Sequence, residues 1–287
     1  MTCSIVNSMA RIRECIIVGG KASGSHVLGK MRDRNYNPKL QVVRQVTPDG
    51  LEVVFIEDLT TGYLEGMNSN GIGVVNAALL VSSDEKAADD YWMRQKKKKG
   101  SSNDGPRIKQ ALALSKLSEV IKSLVGYDEG LKGHTLVGSP TSLYSIEMTS
   151  KHNPIVKKLD PSTGYDVRTN HGEDHEGAGY TPEKHPEDYL SSKIRKATAQ
   201  VKLTGVDDAD QIMPAMASQE FEGESNMNMM RRTPAMRSSS QILLNLDDLE
   251  LTCYLFPGEC SFDGIVDETP DNYEPKINIV VRQYGEE

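Results

Sequence analysis

The chain predicts an α+β layered domain, antiparallel sheets packed with helices, and three observations carry that reading. Strand signals crowd both ends of the sequence, the clearest helical periodicities lie between them, and no glycine-rich phosphate loop follows a strand. The order is strands, helix, strands, helices, strands, which argues against a βαβ nucleotide-binding fold.

Taken in order, Cys15-Ile-Ile-Val18 opens a β-branched run, a Gly/Ser turn at 19–25 reverses it, and a second run ends in the charged cluster Lys30-Met-Arg-Asp33. Residues 40–46 and 51–56 flank Thr47-Pro-Asp-Gly50, which has the chemistry of a hairpin turn. Asn70-Gly71 leads into an apolar strand over 72–80. Pro106 suits a first helical position, and Ile108, Ala111, Leu112, Leu117, Val120, Ile121 and Leu124 recur at helical spacing. They predict one amphipathic helix over 106–125, closed by Gly126.

Further strands are expected at 134–137, 143–148 and 155–159, then a long loop over 170–186. Leu190, Ile194, Ala197 and Val201 mark a second helix that starts near Pro186 and Asp188, and 207–218 marks a third. The methionine-rich stretch 226–230 reads as loop or packing filler. Strands at 239–246, 249–256 and 277–283 close the chain.

Bulk properties exclude several classes. The 287 residues carry a net charge of −8, so the whole molecule repels nucleic acid and anionic membranes. Hydrophobic residues make up 37% and the mean hydropathy is −0.48, as in a soluble globular protein. No apolar run approaches the ~20 residues of a membrane span. The first 14 residues lack the order of a secretory signal, and four cysteines make no disulfide scaffold, so a reducing cytoplasm is the expected location. The run Lys96–Lys99 has no interleaved aromatics and reads as a solvated loop. His171, His175 and His185 fit no helix-borne metal spacing, so no metal and no cofactor are expected.

The candidate for chemistry is Cys15. A hairpin would set its thiol beside Lys30, Arg32 and Asp33, and neighbouring positive charge favours the thiolate that acts as nucleophile. Cys3 is the rival, but it lies too far before Asp33 for a tight two-strand hairpin.

The order of short motifs resembles the cysteine-type N-terminal nucleophile hydrolases, the group of isopenicillin-N acyltransferase, choloylglycine hydrolase and acid ceramidase. The residues that carry the resemblance are Cys15, Gly29-Lys-Met-Arg-Asp33, Gly66-Met-Asn-Ser-Asn-Gly-Ile-Gly-Val-Val-Asn76, Gly133-His-Thr-Leu136 with Ser145-Ile-Glu147, Thr169-Asn-His171 and Ser191-Ser-Lys-Ile-Arg195. They span 15–195, and the chain to 257 fits the closing strands. Cys3-Ser-Ile-Val6 also resembles the start of the ceramidase branch. Glu14 stands where relatives often have a small residue.

The resemblance implies a four-layer αββα sandwich, two antiparallel sheets between helix layers, with 1–14 a propeptide, 15–257 the domain and 258–287 an extension packing on it. It implies a hydrolase of linear, non-peptide amide bonds in a small N-acyl substrate, acting through an acyl-thioester after self-cleavage frees Cys15. An acyltransferase or thioesterase on the same residues, or a binding protein on the same fold, are the alternatives. In the family's pattern Cys15 is nucleophile and, through its freed α-amine, base. Asp33 would orient that amine, and Lys30 would stand where relatives carry arginine, with Arg32 a second guanidinium source. Asn170 would donate to the oxyanion, Arg195 would hold the carboxylate and cysteine in register, and the backbone at Asn76 would supply the second oxyanion donor. The sequence leaves the oligomeric state open, a homo-oligomer included.

Overall fold

A computed structural model describes residues 13–79, 104–126, 131–149, 153–223, 225–234 and 236–285. Cys3 and the run Lys96–Lys99 lie outside them. The strands are β1 Arg13–Ala22, β2 Ser25–Arg34, β3 Lys39–Val46, β4 Glu52–Asp58, β5 Tyr63–Asn68, β6 Gly73–Ala77, β7 Gly133–Ser139, β8 Ser142–Met148, β9 Ile155–Leu159, β10 Asp166–Arg168, β11 Arg237–Asn245, β12 Glu250–Leu255, β13 Ser261–Glu268 and β14 Asn278–Gln283. The helices are α1 Asp104–Leu112, α2 Leu117–Val125, α3 Pro186–Leu203 and α4 Ala209–Met216.

Two sheets form, one of six strands in the order β10-β1-β2-β11-β12-β14 and one of eight in the order β13-β3-β4-β5-β6-β7-β8-β9. Three buried cores separate four layers of structure, two sheets and two layers of helices. Cys15, Ile17 and Leu28 meet Val54, Met67 and Leu136 between the two β-sheets. Ile16, Val18 and Met31 on the opposite face of the six-stranded sheet pack on Ala199 and Leu203 of α3 and Met213 and Met216 of α4. Val53, Phe55 and Val74 of the other sheet pack on Ile108 and Leu112 of α1 and Val120 and Leu124 of α2. The period-two alternation of β1 therefore feeds two different cores, and the αββα sandwich is the result.

Two expectations change. The helix expected over 106–125 is two helices, because asparagines of the β5–β6 turn capture the carbonyls at the break. Asn68 Nδ2 donates to the Leu112 and Leu114 carbonyls at 2.9 and 3.0 Å, and Asn70 Nδ2 to that of Ser115 at 3.1 Å. The sheets are also not wholly antiparallel: β13 runs parallel to β3 and β14 parallel to β12. Residues beyond 257 thus add one edge strand to each sheet, lengthening both.

Candidate active site

Cys15 sits near the start of β1, and the register with β2 sets its surroundings. Cys15 faces Arg32, Glu14 faces Asp33 and Ile17 faces Lys30. Cross-strand partners share a face, so Lys30 and Arg32 point with Cys15 into the layer between the sheets. Glu14 and Asp33 point the other way, toward α3. The Glu14–Cys15 peptide lies within β1.

On the inner face the charges are fully buried. Lys30 and Arg32 both pair with Glu65 of β5, across the gap between the sheets. Lys30 Nζ also lies 4.6 Å from the centre of the Tyr63 ring. Arg34 Nη1 stands 3.6 Å from Cys15 Sγ and 3.3 Å from the Glu14 carbonyl oxygen. Burial alone would raise the Cys15 thiol, but Lys30 and Arg34 outweigh it and hold the thiol below its ordinary range. Burial, with Arg32 and Arg34 beside it, also pushes the Lys30 ammonium well down, against the pull of Cys15. The contrast with the other described cysteines is sharp: burial raises Cys260 and pushes Cys253 up to about 12.

The outer face is a second buried charge cluster. Arg195 of α3 donates to Asp33 Oδ2 at 2.6 Å, to Asn170 Oδ1 at 3.1 Å and to Glu14 Oε2 at 3.3 Å. Ser238 supplies the other Asp33 oxygen with a hydrogen bond at 2.7 Å, beside an irregularity in the β2–β11 register. Burial raises the Asp33 carboxyl despite Arg195 and Arg231. For Glu14 the balance is reversed: burial pushes it up, yet Arg231, Arg195 and Tyr180 together bring it below its ordinary value.

Asn170 joins the faces. Its Oδ1 accepts from the Cys15 backbone N–H at 3.3 Å, and its Nδ2 donates to the Ala78 carbonyl at 2.8 Å. Scaffolding around it uses the remaining motif residues. Ser192 Oγ accepts from the Asn170 N–H at 3.0 Å and lies 2.8 Å from His171 Nδ1, while His134 Nε2 lies 2.8 Å from the His171 carbonyl oxygen. Glu147 accepts from the backbone N–H groups of Glu173, Asp174 and His175 at 3.0, 2.9 and 2.9 Å, which pins the loop that carries Asn170. Among the described residues no group of three His, Cys, Asp or Glu side chains is arranged to hold a metal.

Of the six residues expected at the site, Cys15, Asp33, Asn170 and Arg195 form one connected network. Lys30 adjoins the thiol but is held by Glu65. Asn76 is not tied directly to that network. Its side chain accepts from the Tyr63 hydroxyl at 2.5 Å and donates to Thr135 Oγ1 at 2.9 Å. β6 pairs with β5 only at Gly73 and Val74, so at Asn76 the two strands have parted. Asp33 does not touch the Cys15 nitrogen, which is an amide here and is taken by Asn170.

Sequence reasoning passed over Arg34, Glu65, Tyr180 and Arg231. The alternation Arg32-Asp33-Arg34 already sets both arginines on the cysteine's face of the hairpin, and a glutamate inside the apolar strand β5 is itself a signal of a paired buried charge. Arg231 has no such signal, being next to the methionines read as filler.

No family model matches the chain, and no curated protein is a significant match in sequence. Solved structures do match. An N-acylethanolamine-hydrolyzing acid amidase ortholog from Caenorhabditis elegans superposes with a TM-score of 0.59 at 12% identity, over 81% of this chain and 93% of that one. A mutant conjugated bile acid hydrolase from Clostridium perfringens gives a TM-score of 0.48 at 12% identity over 82% of this chain and 87% of that one. Penicillin V acylase from Agrobacterium tumefaciens gives 0.47 at 9% over 84% and 86%. The layers, their order and the superposition on the nematode acid amidase make this chain an αββα sandwich of the N-terminal nucleophile hydrolase fold.

Proposed function

We propose that the protein is an amide hydrolase with Cys15 as nucleophile, acting on a small N-acyl compound after the Glu14–Cys15 peptide bond is cut. The observation that carries this reading is the state of the thiol. Cys15 alone among the described cysteines is drawn toward thiolate, by Lys30 and Arg34, and its backbone nitrogen is held by Asn170. The nematode neighbour is an acid amidase ortholog, and fold likeness lends the same chemistry as a suggestion.

The arrangement supports self-cleavage. Cys15 Sγ attacks the Glu14 carbonyl carbon, and Arg34, within 3.6 Å of the sulfur and 3.3 Å of the oxygen, serves both the thiolate and the oxyanion. Collapse transfers the acyl group to sulfur and leaves the Cys15 nitrogen as an amine. Water then hydrolyses the thioester and releases residues 1–14 with a Glu14 carboxyl end. The freed amine, with a reference pKa of about 7.7–8.0, accepts the thiol proton at working pH. Thiolate attack on the substrate carbonyl gives an oxyanion, the amine portion leaves with a proton, and water resolves the thioester.

Asn170 has the donor for that oxyanion. An amide carries two N–H bonds, one of which goes to Ala78, and the other is available to a substrate oxygen. Arg195 holds Asp33 and Asn170 together and thereby positions the amine. The test is mass spectrometry of the protein quenched during turnover of a panel of N-acyl amines. An adduct of the acyl mass on a peptide beginning at Cys15 is expected, and added hydroxylamine should discharge it as the hydroxamate. Turnover that survives Cys15→Ala would overturn the reading. If ordinary primary amines, far weaker acceptors than hydroxylamine, also compete with water for the adduct, the site is an acyltransferase.

A further inference from the structure

Glu14 is a buried carboxylate whose surroundings are built from three separate segments. Arg231 Nη1 donates to Glu14 Oε2 at 2.7 Å, the Tyr180 hydroxyl to Oε1 at 2.6 Å, and Arg195 Nη2 to Oε2 at 3.3 Å. Arg231 is held in place without Glu14: Nη2 donates to Ser191 Oγ at 2.8 Å and Nε to the Asn226 carbonyl at 3.2 Å. A guanidinium fixed on two sides with its remaining edge on a carboxylate is a preformed anion site. It lies on the face of β1 opposite the Cys15 thiol, so it is separate from the chamber in which the acyl group would react.

Cutting before Cys15 would take the Glu14 carboxylate away. Arg195 would keep Asp33, but Glu14 is the only ion-pair partner of Arg231 among the described residues, and a new amine would appear nearby. A buried guanidinium stripped of its carboxylate is costly, so the emptied site favours another anion of the same shape. We propose that Arg231, Arg195 and Tyr180 form a carboxylate-binding site, filled in the uncut chain by Glu14 and afterwards by a small carboxylate from solution. In the uncut chain this site is what fixes the residue before the scissile bond, making Glu14 the specificity-determining residue for cleavage. The second half of the inference rests on the cleavage reading above; the binding site itself does not.

Acetate matches the group that Glu14→Ala deletes, which gives a test in the full chain. In a Cys15→Ala background, which stays uncut, Glu14→Ala should lower the Tm, and acetate should raise it by several degrees relative to chloride at equal ionic strength. Glu14→Gln, whose amide still fills the space, should show no such response, and adding Arg231→Met to Glu14→Ala should remove it. If Glu14→Ala does not fold, refolding yield in acetate against chloride gives the same readout. Equal responses to acetate and chloride, or an acetate response that survives Arg231→Met, would overturn the site. With Cys15 intact, Glu14→Ala should slow cleavage roughly tenfold or more, with acetate restoring it. Unchanged cleavage of that variant would overturn the specificity role. A wild-type chain that is never cut at this bond would instead overturn the cleavage reading, while the Tm comparison still decides the site.

Discussion

At the scale of single residues, Lys30 and Arg32 share one counter-ion, Glu65, and all three side chains are fully buried. Removing one member of a buried charge group leaves the others uncompensated, which typically costs about 3–5 kcal/mol. Glu65→Gln should therefore lower stability by that order in urea unfolding. Arg32 would then act on the Cys15 thiol without a counter-ion and should draw it further down, which the ultraviolet absorbance of the thiolate reads. Asn170→Ala should reduce kcat by roughly 100- to 1,000-fold with the protein still folded, the usual consequence of losing an oxyanion donor. Motif order brings Cys15, Asp33, Asn170 and Arg195 together as candidates, and the fold joins those four side chains and backbone groups in one network. Arg231 and Tyr180 were not legible in the sequence, since their role exists only through a partner at Glu14, far away in sequence and met only in the folded chain.

Among the elements, the α1–α2 break shows where local pattern stops being sufficient. Apolar spacing from Ile108 to Leu124 is continuous with one helix, and the sequence inside 106–125 contains no breaker. What stops α1 is a side chain from another hairpin: Asn68 takes two carbonyls at the helix end, and Asn70 a third. Asn68→Ala should leave those carbonyls without their donors and cost about 1–3 kcal/mol, read as a fall in the urea midpoint. Hydrogen exchange should quicken at the C-terminal turn of α1 before the rest of that helix. The edge strand β13 escaped for a related reason, whereas β14 falls where a strand over 277–283 was expected. β13 is largely exposed, with charged residues among its apolar ones, and it has no buried stripe to announce it. The central strands β2, β4 and β7, by contrast, bury nearly every side chain and read clearly as strands.

For the molecule as a whole, buried carboxylates set the acid response. Glu14, in the uncut Cys15→Ala chain, and Glu173 have folded pKa values below their unfolded ones, Glu173 falling to about 2 through burial opposed and outweighed by His171 and Lys196. Stability from such groups is complete above the unfolded pKa, about 4.3 for glutamate, and is lost as pH falls through the folded value. Asp33 is raised and has the opposite sign, favouring the folded state as pH falls. Urea midpoints should therefore decline between about pH 4.3 and 2, and Glu173→Gln should flatten part of that decline. The four-layer arrangement places the Cys15 thiol between the sheets and its nitrogen against Asn170 at the sheet edge, and under the proposed cleavage that one residue would supply a nucleophile and, once freed, a base. Everything in the functional account turns on that freeing. The most direct measurement is the intact mass of the active protein and of Cys15→Ala. A wild-type chain that begins at Cys15 is expected, and a variant that keeps residues 1–14. A catalytically active wild-type chain that retains Glu14, or one shortened only to Cys3, would contradict the proposed cleavage.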